Sequence, residues 1–469
     1  MNHYGNGRER NYGEVNKKIL RRMIVMKRKI ISVLLVSAMI FSTTACGGNG
    51  GTSDGGNGDN GAKVQEGDSG DENTLTVWCW DPNFNIYSLE KAAEIYAKDH
   101  EGFKVEVSEI QSDDIESKIT TAVNANDLST LPDIFLMQDN SYQKYVSFYP
   151  DVFMGLSDKG IDYSQFSQAK VAYSTVGGEN YGVPFDNGTV VHCIRKDYIE
   201  EAGYTVEDFT DITWSDYMKK AKVVLEKTGH PMLSGEAHSL EIVAMALLSS
   251  GGSFFNEDGS VNIKDNEALK EACENYRQMV KDGTFQEVTD WDQYLASFNK
   301  GTVGGVINGC WIMASVGVAE DQSGKWAIVN MPKLDKASGA TNYSSQGGSS
   351  WAVSSNCKKV DLAVDFLNST FAGSTELYED IIQKGALATW LPAGETDAYN
   401  QKAEYWNDDT VYSKIVEYAS KTPAANNGKF FYDARDAVSA AVSEMIQSGG
   451  NIEDALKSAQ ETVEFGMGE

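Results

Sequence analysis

Metal-binding and redox side chains are few in this chain. Its 469 residues include only six cysteines and five histidines. Beyond Cys46 the cysteines are Cys79, Cys193, Cys273, Cys310 and Cys357, an odd number at wide spacings with no C-x-x-C pair. That pattern excludes a zinc ribbon or a disulfide framework and predicts buried free thiols. No H-E-x-x-H and no phosphate-binding loop occurs, so neither a zinc-protease helix nor a nucleotide cradle is on offer. No apolar run reaches 18 residues, the length a membrane-crossing helix needs. Basic residues are outnumbered 40 to 68 by acidic ones, a net charge of −28. Nine of the basic residues and two of the acidic ones lie in residues 1–45, a net of +7, so the chain beyond them carries −35. Such a surface repels phosphate backbones and anionic lipid, which excludes nucleic acid as a partner.

What is present begins with a processing segment. Met26-Lys27-Arg28-Lys29 precedes a run from Ile30 to Phe41 that is apolar apart from Ser32 and Ser37; Ser42-Thr43-Thr44-Ala45 and Cys46 follow. A basic start, a short apolar centre and small residues before the cut describe a secretory signal. A cysteine at the first mature position makes it a lipoprotein signal, although Thr43 stands where Leu or Val is usual. Residues 1–45 are therefore read as signal peptide, and the 25 residues before Met26 as an over-extended start. Cys46 is the expected lipidation site, which would anchor the protein on the outer face of the cell membrane. Ten of residues 47–73 are glycine and none is aromatic, so residues 46–73 form a lipid-bearing, flexible linker. As a Gly-rich coil it reaches about 30 Å.

Periodicity then predicts an α/β protein. Leu75–Trp78, Phe103–Val107 and Asp133–Met137 read as strands, with amphipathic helices between them, the first capped by Ser88. Strands alternating with helices imply a parallel sheet with right-handed crossovers. After Pro184 the chain is richer in helices, at Trp214–Lys227, Asn266–Asp282, Trp291–Asn299, Asp361–Phe371, Asp433–Gln447 and Ile452–Glu464. Strands are read at Val303–Ile307, Lys325–Val329 and Ser350–Ser354.

Several loops after predicted strands set an aromatic beside a carboxylate or amide. They are Trp78–Asn85 (with Trp80, Asp81 and Asn85), Gln138–Ser141 (with Asp139 and Asn140), and Pro184–Gly188 (with Asp186 and Asn187). Asn308–Trp311 and the Gly347-Gly348-Ser349 turn before Trp351 complete the set. Ligands of open α/β sheets sit beyond the carboxyl ends of strands, so these loops converge on one cleft. A pyranose has an apolar face, which an indole covers, and a polar rim, which carboxylates and amides meet. Trp80 is expected to be exposed and Trp78 buried. Trp326, Trp390 and Trp406 read as core, whereas Trp291 is a further stacking candidate. Read singly, Asp81-Pro82 and Asp186-Asn187 are equally turn residues.

Taken together, Leu75–Asn85, Tyr181–Asp186, Phe298–Gly301, Asn308–Trp311, Ile328–Leu334, Gly347–Ser349 and Ala363–Leu367 resemble the family 1 extracellular solute-binding proteins of carbohydrate ABC transporters, relatives of maltodextrin-binding protein. The resemblance implies a periplasmic-binding-protein-like fold: two α/β lobes joined by a multi-stranded hinge, with the ligand in the cleft between them. It implies a first lobe of 74–183 plus 333–370, a second of 187–329 plus 375–469, and a hinge near 184–186, 330–332 and 371–374. Trp80, Asp81, Asp139, Asn140, Gly347, Gly348 and Ser349 would line the first lobe's side, Asp186 the hinge, and Trp311 would stack from the second lobe. Trp390, Phe431 and Tyr432 are candidates for a further aromatic. The implied role is capture of a sugar, an oligosaccharide over a monosaccharide, by a monomer that needs no cofactor or metal and delivers its cargo to membrane permease subunits. The rival readings are a polyamine or other small-solute receptor, a sugar sensor, and a surface-anchored glycoside hydrolase.

Overall fold

The computed structural model describes residues 70–468 apart from 408 and 424–426. The signal segment, Cys46 and the linker up to residue 69 lie outside the described residues. No helix among the described residues is long and apolar enough to cross a membrane.

Strands β1 (Thr74–Cys79), β2 (Lys104–Glu109) and β3 (Ile134–Gln138) pair in parallel in the order β2-β1-β3. The helices Asn85–Tyr96 and Ser112–Ala125 make the crossovers. Ser88 does not cap the first of these. The helix opens at Asn85, and the Ser88 hydroxyl donates to the Phe84 carbonyl from inside the first turn. A short hairpin, β4 (Thr175–Val176) with β5 (Glu179–Asn180), leads into the long strand β6 (Val183–Arg195).

Strand β6 is one of two that join the lobes. Its second half pairs with β9 (Gly305–Gly309) and β10 (Trp326–Val329). Its first half pairs antiparallel with β11 (Ser345–Val353), and β11 runs on to pair with β3. One seven-stranded sheet therefore runs through both lobes in the order β10-β6-β11-β3-β1-β2, with β9 also on β6. A separate parallel pair, β7 (Leu233–Glu236) with β8 (Phe285–Val288), belongs to the second lobe.

Alternation along each strand feeds two cores per lobe, as the period of two demands. On β1 and β3, Leu75, Val77, Cys79, Ile134 and Leu136 enter one layer. Trp78, Phe135 and Met137 enter the layer on the opposite face. On β6, Val190 and Ile194 point to the helices of one face. Val191 and Cys193 point to the other, with Trp326 and Ile328 of β10. All five described cysteines are buried free thiols.

The lobe boundaries differ from the expected ones. Residues 333–344 stay with the second lobe: Leu334 is in its core, the amides of Asp335, Lys336 and Ala337 donate to the Glu271 carboxylate, and Ser344 donates to the Met245 carbonyl. Phe371 is core, packed on Phe185 and Trp351 at 5.4 and 5.3 Å between ring centres, so the stretch 371–374 begins in packed interior. The helix Thr375–Ile381 also belongs to the first lobe, burying Leu377, Tyr378 and Ile381 with Leu75 and Leu89. From Ile382 to Ala398 the chain runs along the boundary and gives side chains to both lobes.

Candidate ligand cleft

The first-lobe loop after β1 is shaped by Asn85. Its Oδ1 accepts from the Trp80 and Asp81 amides at 3.1 and 3.0 Å, and the side chain is buried. Asn85 thus builds the loop and does not line the cleft. Trp78 is buried, and Trp80 is half-buried at the rim of both first-lobe cores. Asp81 accepts from the Asn83 amide at 2.8 Å, and burial raises its carboxyl above the ordinary range.

Asp139, Asp186 and Ser349 do come together, but as a buried hinge network. Lys170, 3% exposed, pairs with Asp139 and donates to the Ser349 carbonyl at 2.7 Å. Asp139 also accepts from Ser350 at 3.1 Å, and Asp186 accepts from the Ser349 hydroxyl. Both carboxylates are 2% exposed. Burial outweighs the Lys170 ammonium and holds the Asp139 carboxyl up at about 6, and it raises Asp186 as well. One cation thus ties the start of the helix Asp139–Phe148 to β11, whose Ser349 in turn donates to Asp186 of β6. Gly347 and Gly348 lie within β11 with φ of +71° and +96°, at a register shift that a side chain would strain. A Cβ on Gly348 would also stand 2.6 Å from Asp139 Oδ2. Asn187 is half-buried on β6, where it pairs with Gly348.

The second lobe supplies an aromatic wall. Trp291 and Trp311 are both half-buried, 6.0 Å apart between ring centres, and Trp291 packs on Tyr294 at 5.3 Å. The Trp311 indole N–H donates to the Gln346 carbonyl at 3.0 Å, which fixes the ring against β11. At the carboxyl end of β9, Asn308 donates from Nδ2 to Glu241 Oε2 at 3.1 Å and to the Tyr294 hydroxyl at 3.2 Å. Beside it is a narrow recess with about 20 Å3 of space for water, where Glu236, Glu241, Trp291 and Asn308 meet. Sequence reasoning missed Glu236 and Glu241. Glu236 ends a strand too short and too polar to stand out, and Glu241 opens a helix whose apolar run reads only as core.

The two sides touch. Asn427 donates to Asn140 at 2.7 Å, and the Tyr432 hydroxyl donates to Gln138. Lys144 pairs with Asp433 at 2.7 Å, and Phe148 meets Phe430 at 6.1 Å. Asn140 and Tyr432 thus stand where the lobes meet, whereas Trp390 packs on Tyr378 at 6.5 Å within the first lobe. Among the described residues no group of histidine, cysteine and acidic side chains is arranged to hold a metal ion.

A sheet shared by two α/β lobes, with an aromatic and polar rim where they face, defines a two-lobed solute-binding protein. The chain belongs to the bacterial extracellular solute-binding protein family, whose description matches residues 91–414. It is 33% identical over 438 residues to the lactose-binding protein of Rhizobium radiobacter, covering 93% of this chain and 97% of that one. It is 22% identical over 322 residues to the arabinooligosaccharide-binding protein of Halalkalibacterium halodurans, covering 65% and 69%. Among solved structures, the ABC transporter-associated binding protein from B. animalis subsp. lactis Bl-04, in complex with beta-1,6-galactobiose, superposes with a TM-score of 0.71 at 19% identity, covering 83% and 96%. The family is one of binding proteins that work outside the cytoplasm.

Proposed function

We propose that this protein is a lipid-anchored sugar receptor whose cleft takes a galactose-containing di- or oligosaccharide and delivers it to the permease subunits of an ABC transporter. Cys46 carries the lipid. The hinge lies at Pro184–Gly188 and Gly347–Ser349, the two places where strands cross between lobes. The Trp291–Trp311 pair carries the reading: two half-buried indoles beside carboxylates and amides suit the apolar face and polar rim of a pyranose. The near-full-length likeness to a lactose-binding protein supports the choice of sugar. A sugar touching both lobes binds the closed form better and shifts the population towards it. Reversing a 99:1 open preference takes about 5.5 kcal/mol of differential binding.

The test is calorimetric titration of the purified full chain with lactose, β-1,6-galactobiose, maltose, xylobiose and putrescine. The expected result is saturable one-to-one binding of a galactoside, weakened at least tenfold in Trp311→Ala. Silence towards every sugar with a response to putrescine would overturn it.

A further inference from the structure

The recess beside Glu241 has room for little more than one water, whereas a groove elsewhere has about 390 Å3 of space for water. The groove runs between the short helix Ile312–Val316, the turn Ile382–Lys384 and residues 401–406. Trp311 leads into that helix. At about 3.6 residues per turn, Met313 and Gly317, which line the groove, lie on the opposite side of the helix from Trp311. A helix thus separates the groove from the Trp291–Trp311 wall. Val318, 53% exposed, gives it an apolar lip.

Two buried side chains bring unspent polar atoms to this groove. Trp406 and Tyr412 are 4% and 5% exposed and share a core with Met313. Neither the Trp406 indole N–H nor the Tyr412 hydroxyl has a hydrogen-bond partner among the described residues. Neither is sealed in, as the indole N–H of Trp351 and the hydroxyl of Tyr163 are, so both reach the groove that their side chains line. Burial pushes the Tyr412 hydroxyl up to about 12, so it keeps its proton at neutral pH. An indole this deeply buried cannot lay its face on a ring; it offers an edge whose N–H only donates. Two ammonium groups add to these donors. Lys384 leans over Tyr87 of the first lobe at 5.0 Å and lies close enough to Asp81 to interact with its charge. Lys402 is exposed and has no ion pair among the described residues. Glu404 is the one carboxylate that lines the groove, in a chain where acidic residues outnumber basic ones 68 to 40.

We propose that this groove is a second binding site, separate from the sugar cleft, for a small organic anion. Trp406 and Tyr412 donate to its charged oxygens, Lys402 pairs with it from the rim, and Val318 meets its apolar body. Carboxylates and phosphate monoesters share the chemistry required, since both accept charge-assisted hydrogen bonds from N–H, O–H and ammonium donors.

The experiment is calorimetry of the full chain with 4-hydroxybenzoate, phenyl phosphate and the neutral 4-hydroxybenzyl alcohol, repeated in Tyr412→Phe and Lys402→Gln. Saturable binding of at least one anion is expected, and which one binds tells carboxylate from phosphate. The alcohol should bind at least tenfold more weakly. Tyr412→Phe should weaken the anion about tenfold, the loss of a hydrogen bond to a charged group. Lys402→Gln should weaken it about two- to fivefold, as an exposed pair does. Lactose binding should be the same in both variants as in the unsubstituted protein. Binding of neither anion, an anion bound no more tightly than the alcohol, or unchanged affinity in Tyr412→Phe overturns the site. Displacement of the anion by lactose places it in the cleft and overturns the site as well. Should Tyr412→Phe fail to fold, the surface variant Lys402→Gln decides, and unchanged affinity there refutes the site. The sugar-receptor reading stands or falls separately, on lactose itself.

Discussion

Replacing Lys170 by methionine removes the cation paired with Asp139 and leaves Asp139 and Asp186 buried. Methionine matches the length of the side chain, so the perturbation is mainly one of charge. Breaking a buried pair by removing one partner costs about 3–5 kcal/mol, because the remaining charge has lost its compensation. The cost must depend on pH. With the ammonium present, the Asp139 carboxyl already stands at about 6. Without it, both carboxyls rise further. A carboxyl whose folded value exceeds its unfolded value near 4 contributes stability that is complete below pH 4 and is lost as pH climbs through the folded value. The Lys170→Met deficit should therefore be near zero at pH 4.5 and reach about 3–5 kcal/mol at pH 8. Urea unfolding followed by tryptophan fluorescence at pH 4.5, 6 and 8 measures it. An equal deficit at the two extremes would sink the argument, and so would a deficit under about 1 kcal/mol at pH 8.

Two further outcomes follow from the same structure. His192 on β6 is fully buried, both ring nitrogens have no partner among the described residues, and burial lowers its value to about 3. Stability held by the neutral ring is complete above pH 6.5 and is lost as pH falls towards 3, at about 1.4 kcal/mol per unit. His192→Leu should spare about 2 kcal/mol of the loss between pH 7 and pH 5, read from urea midpoints, and parallel loss in both proteins refutes it. At the junction of the lobes, Asp433→Ala should change unfolding stability by under about 1 kcal/mol, since the Lys144 pair is partly exposed. Up to a fivefold shift of the ligand-free chain towards the open form should nevertheless appear in energy transfer between dyes on the two lobes. An unchanged distance distribution would show that the pair does not hold the lobes together.

Much of the first lobe was legible because β1 and β3 are largely apolar runs, buried on both faces as central parallel strands are, and the edge strand β2 alternates, with helical spacing between them. Trp78 is buried within β1, whereas Trp80, two residues on and packed on the same layer, is half-buried because the strand has ended at Cys79. The hinge was harder. Val183–Arg195 looks like a proline turn followed by Asp-Asn-Gly, yet it is one 13-residue strand. Pro184 is accommodated because it falls at a register shift against Ser350, where a missing N–H costs little. Gly347 and Gly348 were read as a loop facing the ligand and are instead a bulge inside β11.

By itself the sequence determined what depends on composition and local order: the acidic, cysteine-poor α/β chain, the strand–helix alternation, the buried thiols and the indoles set beside polar residues. Only the tertiary structure decided what each polar group meets. Lys170 carries no mark in the sequence, yet it comes to lie buried against Asp139, 31 residues away along the chain. Glu241 lies 67 residues from Asn308 along the chain and 3.1 Å from it in space. Hydrogen bonds act over about 3 Å, and local periodicity carries no information about which distant segments the sheet brings within that reach.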